Sequence, residues 1–316
     1  MTYISEIINI CKFSQRVQRN KENILKIATY KKTKEIIDKY DFVFKKSFGQ
    51  NFLIDQHVMN KIIAGSNVTR DDIVIEIGPG IGALTEFLCE NALKVIAVEI
   101  DRNLIPILNE TLKDYDNLEI INGDILQLDI EEILKPYEGK NVYVVANLPY
   151  NIATPVVMGF LEKKHKIKAL TVMVQKEVAE RMGAKPSSKS YGSLSLTVQY
   201  FSEPEIVAIV PQNCFVPRPK IDSAVIRLDI LDKPRVDVSN EELFFRIIKY
   251  SFGQRRKTFV NTIFNQSNFN LSKEEIINLL ENLGYDKNVR GETFTLEDFS
   301  RITTEFENLL KRNKTK

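Results

Sequence analysis

The glycine-rich run from Glu76 to Gly82, with the sequence EIGPGIG, has a spacing that suits ligand binding. Glycines at such a turn let a ligand approach backbone N–H groups at the N-terminus of a helix. Glu99 ends the next apolar run, where a carboxylate can accept both hydroxyls of a ribose. Asp124 follows a third run and could meet an adenine amine. The pattern indicates a nucleoside-containing ligand, the alternatives being a tight connection at the turn and a solvated strand end at Glu99.

The spacing of the glycines distinguishes two classes of cofactor. A hydride-transfer enzyme would share much of this arrangement, but with the order G-x-G-x-x-G. Here the order from Gly78 to Gly82 is G-x-G-x-G, and Glu76 precedes the first glycine by two residues. This form resembles the binding motif of methyltransferases that depend on S-adenosyl-L-methionine, which implies that cofactor. Because a sulfonium is already an activated electrophile, positioning and electrostatics can suffice without a strong general base.

A second motif, Asn147-Leu148-Pro149-Tyr150, ends the fourth apolar run. It resembles the [DNS]-P-P-[YFW] group of amino-methyltransferases that act on adenine or cytosine. The exocyclic amine of adenine is a poor nucleophile, because its lone pair is delocalised into the ring. The Asn147 side-chain oxygen and the Leu148 carbonyl would hold the amine hydrogens, with Pro149 fixing the backbone so that they converge. Tyr150 would stack on the base; the alternative is an ordinary Asn-Pro turn.

These motifs lie in a regular alternation of β-branched runs and helix-like segments. The runs predict five buried strands, within residues 72–78, 94–101, 118–124, 141–148 and 169–175. The segments between them predict helices near 82–91, 102–113, 128–136 and 152–163. Such alternation implies a parallel sheet covered on both faces. The predicted fold class is therefore α/β, with a Rossmann-like methyltransferase sheet.

The pattern changes after residue 190. The runs SLSLTVQYF (193–201) and SAVIRLDIL (223–231) are strand-rich and predict an antiparallel pair that closes the sheet edge. The polar stretch 231–240 contains a proline and is a linker candidate. Beyond it, helical apolar spacing over 240–250, 272–283 and 296–311 predicts a small all-helical domain. The predicted domains are a basic helical extension at 1–40, a catalytic domain at 41–231 and a helical C-terminal domain at 232–316.

Composition limits the class of protein. Of 316 residues, 43% are apolar and 27% are charged, values typical of a globular chain. No apolar run approaches the ~18 residues that a membrane span needs. The cysteines Cys11, Cys89 and Cys214 are widely spaced and indicate neither a disulfide framework nor a metal site. We therefore expect a reduced, cytoplasmic protein that uses no metal and contacts no membrane.

Positive charge is concentrated in a few stretches. Residues 1–46 carry a net charge of +6, against +2 for the whole chain. A second cluster is Arg255-Arg256-Lys257, and the C-terminal tail is also basic. Such patches suit a polyanion. The alternative is a solvated arm, a solvated helix face and a frayed end.

A wider resemblance covers the chain from about Lys45 to Thr262, and more loosely to the C-terminus. The chain resembles the ribosomal RNA adenine dimethyltransferases, specifically the bacterial small-subunit enzymes that dimethylate two adjacent adenosines in the 3′-terminal hairpin. The motifs that carry the resemblance are KSFGQNFLI, VIEIGPGIGALT, VIAVEID, NGDIL, VANLPYNIATP, MVQKEVAERM, CFVPRPKIDSAV and FGQRRKT. The chain departs from the family at its start, where about 40 residues precede Lys45 and have no role derivable from sequence.

The resemblance implies roles for individual residues. The implied cofactor contacts are Asn51, Leu53, Gly78, Glu99, Asp124 and Asn147, with the segment 50–53 crossing over the methionine end of the cofactor. The implied target pocket is Asn147 to Tyr150, with Phe215 stacking on the face of the adenine opposite Tyr150; the alternative for Phe215 is core packing. Arg255, Arg256 and Lys257 would contact RNA phosphates. Tyr191 is a possible RNA or loop residue, and His57 and His165 receive no role.

The resemblance also implies a partner, small-subunit ribosomal RNA within a pre-30S particle, and a monomeric enzyme. Two alternatives remain open. One is the related large-subunit methyltransferase that confers macrolide-type resistance, which shares the cofactor and Asn-Leu-Pro-Tyr motifs. The other is a ribosome-assembly factor whose binding role outweighs catalysis. PKIDSAV and FGQRRKT favour the small-subunit enzyme, because we expect the resistance enzymes to diverge there.

Overall fold

The computed structural model describes residues 25–45, 48–266 and 269–314. Most of the predicted N-terminal extension, residues 1–24, lies outside the described residues. Lys46, at the start of a family motif, and Lys316, at the end of the basic tail, also lie outside them.

The described strands form a seven-stranded sheet and a separate two-stranded pair. Their bounds are β1 Phe52–Leu53, β2 Ile73–Ile77, β3 Lys94–Glu99, β4 Leu118–Asn122, β5 Val142–Asn147, β6 Ala169–Gln175, β7 Ser202–Val210, β8 Phe215–Val216 and β9 Ser223–Ile230. The large sheet has the order β4-β3-β2-β5-β6-β9-β7, and β1 pairs with β8. The first five strands of that order are parallel, whereas β9 runs antiparallel to both β6 and β7. The five strands predicted from the sequence are confirmed.

Helices cover both faces of the sheet. Their bounds are α1 Tyr30–Lys39, α2 Gln56–Ser66, α3 Ala83–Asn91, α4 Ile105–Thr111, α5 Ile130–Leu134, α6 Ala153–Glu162, α7 Lys176–Met182, α8 Ser193–Phe201, α9 Glu241–Ser251, α10 Phe259–Gln266, α11 Lys273–Asn282 and α12 Leu296–Lys314. Alternate residues of β2 belong to two different hydrophobic clusters, Ile73 and Ile75 to one and Val74 to the other. Successive side chains of a strand point to opposite faces, so both faces of this sheet are buried. The predicted α/β class is correct.

One predicted strand is wrong: residues 193–201 form the helix α8. Its partner run is correct, since β9 lies beside β6, and the second antiparallel strand is β7, directly after α8. Ser195 stabilises the start of α8 by accepting a hydrogen bond from Gly192 N at 3.1 Å and donating to the Arg181 carbonyl at 2.5 Å. Most of its side chains are buried. A helix buried on all sides carries no amphipathic pattern, so its sequence resembles that of a buried strand.

The helix α1 fastens the described part of the N-terminal extension to the catalytic body. Ile27 N donates to a Glu86 carboxylate oxygen at 3.0 Å, and Lys26 forms ion pairs with Glu86 and Glu90 of α3. At the other end, Lys39 and Tyr40 both bond to Glu110 of α4. Ile27 and Ile36 are buried in the same cluster as Phe87 of α3. Lys26 and Lys39 are thus paired with acidic side chains of the catalytic body.

The C-terminal helices share a hydrophobic core with one face of the sheet. Phe244, Phe259, Phe299 and Phe306 belong to the same buried cluster as Ile73 of the sheet. The predicted linker runs back along α8, where Leu231 N donates to the carbonyl of Phe201 at 3.0 Å and Arg235 N to that of Tyr200 at 2.9 Å. The boundary between residues 231 and 232 stays a prediction.

Candidate active site

A cleft opens at the carboxyl ends of β2, β3, β4 and β5. The strand order turns in both directions from β2, and such switch points place ligand sites at the carboxyl edge of an open α/β sheet. The sequence-predicted residues that line this cleft are Asn51, Leu53, Gly78, Glu99, Asp124, Asn147, Leu148, Pro149 and Tyr150. The fold therefore brings all but one of the predicted cofactor and base-pocket residues together.

The glycine-rich turn brings backbone N–H groups to the floor of this cleft. Gly78 and Gly80 have φ values of +68° and +62°, a region that favours glycine because other residues place Cβ against the backbone there. Gly80 N donates to Oε2 of Glu99 at 3.2 Å. A Cβ on Gly80 would lie 2.9 Å from the ring of Phe52. The glycine at this position is what allows Phe52 of β1 to approach the turn.

Glu99 ends β3 with its carboxylate held by two backbone donors. Oε2 accepts from Gly80 N at 3.2 Å, and Oε1 accepts from Asp101 N at 2.8 Å. The residue is only 4% exposed, and burial raises the pKa of its carboxyl group. Each carboxylate oxygen has about two lone-pair directions, so one on each remains for a ligand hydroxyl. The geometry fits the predicted contact with a ribose.

Glu76 is a buried acid that sequence analysis placed only as a marker of the glycine motif. It lines the cleft, is 1% exposed, and its Oε2 has no hydrogen-bond partner among the described residues. Burial, with a smaller contribution from the charge of Glu99, raises its pKa to about 8. A buried carboxyl oxygen without a partner is costly unless a ligand satisfies it. The ammonium group of S-adenosyl-L-methionine is a hydrogen-bond donor that would satisfy Oε2 of Glu76.

Asp124 lines the cleft just after β4. Its Oδ1 accepts from Leu126 N at 3.0 Å, and its Oδ2 accepts from Gln127 Nε2 at 3.1 Å. These local bonds fix the carboxylate at the edge of the sheet while leaving further acceptor directions. The placement is compatible with the predicted contact to an adenine amine of the cofactor.

Residues 48–53 form the roof of the cleft, and β1 holds its far end. Phe52 pairs with Val216, and Leu53 pairs with Phe215, across the β1–β8 ladder. The Asn51 side chain donates to the carbonyl of Gly49 at 2.9 Å. The Asn51 carbonyl accepts from Nδ2 of Asn147 at 3.0 Å. The roof is thus bonded to the motif at the end of β5.

The Asn-Leu-Pro-Tyr motif leaves β5 as a turn with defined bonds. Leu148 N donates to the Met173 carbonyl at 3.1 Å, and Ile152 N donates to the Pro149 carbonyl at 3.1 Å. The Tyr150 hydroxyl lies 2.8 Å from Oγ of Ser223, and burial raises the pKa of Tyr150. The hydroxyl therefore stays protonated near neutral pH, and the hydrogen bond orients its ring at the wall of the cleft.

Phe215 is the exception among the predicted pocket residues. It is 3% exposed and lies in β8 opposite Leu53. It belongs to the same buried hydrophobic cluster as Phe52 and Leu53 of the roof. Among the described residues, it is not part of the cleft lining. Its stacking on a target base stays a prediction, and in this conformation its contacts are those of a core residue.

The basic cluster Arg255-Arg256-Lys257 forms an exposed turn between α9 and α10 instead of a helix face. Arg255 already has partners within the protein: Nη1 donates to the Lys189 carbonyl at 2.7 Å, and Nη2 lies 3.5 Å from a Glu292 carboxylate oxygen. Their contact with RNA phosphates stays a prediction.

Tyr191, a possible RNA residue by sequence, is buried in the structure. It is 2% exposed, and its hydroxyl donates to the Phe294 carbonyl at 2.8 Å. This hydrogen bond joins the loop before α8 to the C-terminal helical region. The position favours a structural role.

Two features are absent from the described part of the chain. Within it, no group of three or more His, Cys, Asp or Glu side chains is arranged to hold a metal ion. In the same residues, no helix has both the length and the apolar character needed to cross a membrane.

Sequence reasoning missed several residues of the cleft. Ile100 lines it, and Asp101 supports it through Glu99. Ser223 fixes Tyr150 from β9, a strand 73 residues further along the chain. Only Asp101 had a local signal, as an acidic residue two positions after Glu99 in the run VEID.

Comparison with known proteins gives a family match over most of the chain. Residues 41–300 match the family model described as ribosomal RNA adenine dimethylase. The chain is 55% identical over 274 residues to the ribosomal RNA small subunit methyltransferase A of Lachnoclostridium phytofermentans, covering 86% of this chain and 94% of that protein. It is 50% identical over 279 residues to the protein of the same name from Clostridioides difficile, covering 88% and 96% of the two chains.

Solved structures are similar in fold. A dimethyladenosine transferase from Plasmodium falciparum is 26% identical, with a TM-score of 0.69 over 81% of this chain and 98% of that one. The 23S rRNA methyltransferase ErmE is 25% identical, with a TM-score of 0.60 over 81% and 99%. The first of these has the higher TM-score, and both proteins are similar in overall fold to this chain.

Proposed function

This chain belongs to the ribosomal RNA adenine dimethylase family, and we propose that it dimethylates the N6 amines of two adjacent adenosines in the 3′-terminal hairpin of small-subunit ribosomal RNA. S-Adenosyl-L-methionine is the methyl donor. The relatives named above, at 50–55% identity, support the small subunit as the source of the substrate. The proposal includes a pre-30S particle as the form of the substrate, the cytoplasm as the location and a monomer as the active species.

The observation that carries the proposal is the bond between Asn147 Nδ2 and the Asn51 carbonyl, at 3.0 Å. This bond commits the amide nitrogen, so the remaining group on the Asn147 side chain is an acceptor oxygen. An acceptor at this position can hold an amine hydrogen, which turns the nitrogen lone pair out of conjugation with the ring. A second acceptor, the Leu148 carbonyl, would take the other hydrogen.

When bound, S-adenosyl-L-methionine supplies a methyl group on a positively charged sulfur, which an amine nitrogen can attack. The residues of this chain position the cofactor and the target base. Glu99 would hold the ribose of the cofactor, and the roof would shield the reacting atoms from water. Tyr150, oriented by Ser223, would stack on the extruded base. Placement of two reactants in one cleft, together with two fixed acceptors, supplies the rate enhancement.

Recognition of the RNA requires contacts outside the cleft. Extruding a base costs a few kcal/mol, and the pocket repays this through stacking and edge contacts. Shape and phosphate contacts must supply the rest. We assign them to the exposed turn Arg255-Arg256-Lys257, which joins two helices of the C-terminal region.

Incubation of the full chain with labelled S-adenosyl-L-methionine and, separately, purified small and large ribosomal subunits tests the proposal. The modified nucleotides are then mapped. We expect label only on adenosines of the small-subunit 3′-terminal hairpin, as the dimethyl form. Label on the large subunit would establish the resistance-type activity instead. Stable particle binding without label would support an assembly factor, with Asn147→Ala as the control that binds without transferring methyl.

A further inference from the structure

Asp101, two residues after the end of β3, accepts hydrogen bonds from three donors, two of which precede β1 in the chain. Its Oδ1 accepts from Lys45 Nζ at 2.8 Å and from Asn103 N at 3.1 Å, and its Oδ2 accepts from Gln50 Nε2 at 3.1 Å. The carboxylate is 2% exposed. Burial alone would raise its pKa, but the hydrogen bonds from Lys45, Asn103 and Gln50 outweigh burial, so the pKa is lowered. Asp101 therefore remains a carboxylate at neutral pH.

Lys45 and Gln50 are also bonded to each other. Lys45 N donates to Oε1 of Gln50 at 2.9 Å, and Lys45 Nζ lies 5.3 Å from the centre of the Phe48 ring. The Gln50 amide thus uses its oxygen on Lys45 and its nitrogen on Asp101. Lys45, Gln50 and Asp101 form a closed set of hydrogen bonds, which we call the clasp.

The clasp connects the roof with the carboxylate that faces the cofactor. Asp101 donates its own N–H to Glu99 Oε1 at 2.8 Å. Gln50 is directly followed by Asn51, whose carbonyl bonds to Asn147. Asp101 therefore links Glu99, the predicted ribose contact, to the roof that covers the cleft.

Besides the clasp, the bond from Asn147 to the Asn51 carbonyl and the β1 ladder hold the roof. Gly49 has a φ of +59°, and a Cβ there would lie 3.3 Å from Cβ of Pro149. The β1 ladder that holds the other end has only two residue pairs. The clasp is thus the attachment at the N-terminal end of the roof, and β1 is the attachment at its C-terminal end.

We propose that Lys45, Gln50 and Asp101 are positioning residues that hold the roof closed over S-adenosyl-L-methionine and set how tightly it binds. The inference rests on the proposed function only in taking this cofactor as the ligand of the cleft. When the clasp opens, the roof moves away from the cofactor, and the backbone bond that orients Glu99 loses its support. Cofactor affinity falls, whereas the phosphate contacts outside the cleft, and the RNA affinity that they supply, do not change.

The test is calorimetric titration of S-adenosyl-L-methionine into the full-length wild type and four variants. Asp101→Asn and Lys45→Met each remove the charge-assisted bond between Lys45 and Asp101, and we expect each to weaken cofactor binding roughly tenfold, which corresponds to about 1.4 kcal/mol. Lys45→Arg keeps a cation beside Asp101 and should remain close to wild type. Glu110→Gln is the matched control, because it loosens α1 from the body at a site outside the cleft lining.

Steady-state kinetics separates positioning from general destabilisation. The KM for S-adenosyl-L-methionine should rise in Asp101→Asn and Lys45→Met, while the KM for the RNA particle stays at the wild-type value. Lys45 is partly exposed, so Lys45→Met keeps the test valid if Asp101→Asn fails to fold.

Three results would overturn the inference. If the wild type binds the cofactor and Lys45→Met binds it equally well, the role proposed for the clasp is refuted and the proposed function is unaffected. An equal loss in Glu110→Gln would assign the effect to docking of α1. If the wild type does not bind the cofactor, both the role proposed for the clasp and the proposed function are refuted.

Discussion

Asn147 Nδ2 donates a hydrogen bond of 3.0 Å to the main-chain carbonyl of Asn51, although the two residues are 96 positions apart. The bond links the end of β5 to the roof and fixes which end of the Asn147 amide can serve as an acceptor. Cofactor cover and base pocket are therefore parts of one bonded unit.

Asn147→Ala should lower turnover by about 10²–10³, because loss of one preorganised group in an active site costs that much. RNA binding should change little, since the acceptor matters most as the nitrogen becomes tetrahedral. Single-turnover methylation at saturating cofactor and RNA measures the effect. Cofactor affinity is measured in parallel, because the residue also lines the cofactor cleft. Normal single-turnover rates would exclude the proposed role.

Glu99→Ala should weaken binding of S-adenosyl-L-methionine. The variant removes two predicted charge-assisted hydrogen bonds to the ribose, each worth roughly 1.5–3 kcal/mol. Calorimetry on the free enzyme gives the affinity. Glu119→Gln, an exposed acid on β4, serves as a control and should bind like the wild type. Equal affinity in both variants would show that Glu99 does not bind the cofactor.

Glu76 should make the stability of the apoprotein depend on pH. Its pKa is raised from 4.5 to about 8 by burial, so the folded state binds the proton more tightly than the unfolded state. The stabilisation is full below pH 4.5 and is lost as pH rises through about 8. Urea unfolding of wild type and Glu76→Gln across this range measures it. We expect the unfolding free energy of the wild type to fall more steeply than that of the variant. Parallel curves would refute a raised pKa.

Replacing Arg255, Arg256 and Lys257 with Ala should weaken RNA binding and flatten its salt dependence. Each phosphate contact releases counterions and adds to the salt slope, so the flattening should reach about 2–3 units at most. The lower value is expected, because Arg255 already bonds to Lys189 and Glu292. Binding isotherms at several salt concentrations give the slope.

The control variant combines Lys140→Ala, Lys166→Ala and Lys168→Ala, which removes three positive charges from a different part of the surface. These exposed residues lie just before the amino ends of β5 and β6. Their loss should leave the salt slope near wild type. An equal slope change in both triple variants would indicate a non-specific charge effect and not a defined RNA contact.

Tyr191→Phe should destabilise the fold by about 1–3 kcal/mol, the cost of leaving a buried carbonyl without its donor. The carbonyl is that of Phe294, 2.8 Å from the Tyr191 hydroxyl. Chemical unfolding measures the change, and cofactor affinity should not move. Reduced RNA affinity without loss of stability would instead assign Tyr191 to the RNA surface.

The catalytic edge was predictable from sequence because its residues terminate strands. Glu99 and Asn147 each end a buried β-branched run, and the carboxyl ends of parallel strands meet at one edge. The helix at 193–201 was not predictable in this way. Its sequence SLSLTVQYF alternates like a strand, and its burial between neighbouring helices and β7 removes the polar face that marks a helix.

The clasp and the Phe215 position depend on contacts between distant parts of the chain. Lys45 and Asp101 are 56 residues apart, and Gln50 and Asp101 are 51 apart. No periodicity relates such residues, because loop closure and tertiary packing bring them together. Phe215 is buried in β8, where it pairs with Leu53, a residue far away in the sequence.

The position of β9 between β6 and β7 has a consequence for the newly made chain. β7 pairs only with β9 in the described sheet, so its backbone groups and the outer edge of β6 have no ladder partner until residue 230 has been synthesised. At about 5–20 residues per second, synthesis of the stretch from residue 210 to residue 230 takes roughly 1–4 s. Open strand edges template pairing with other chains. During that interval the edges of β6 and β7 are open to such pairing, and β9, the strand that closes them, is also the one that carries Ser223 to Tyr150.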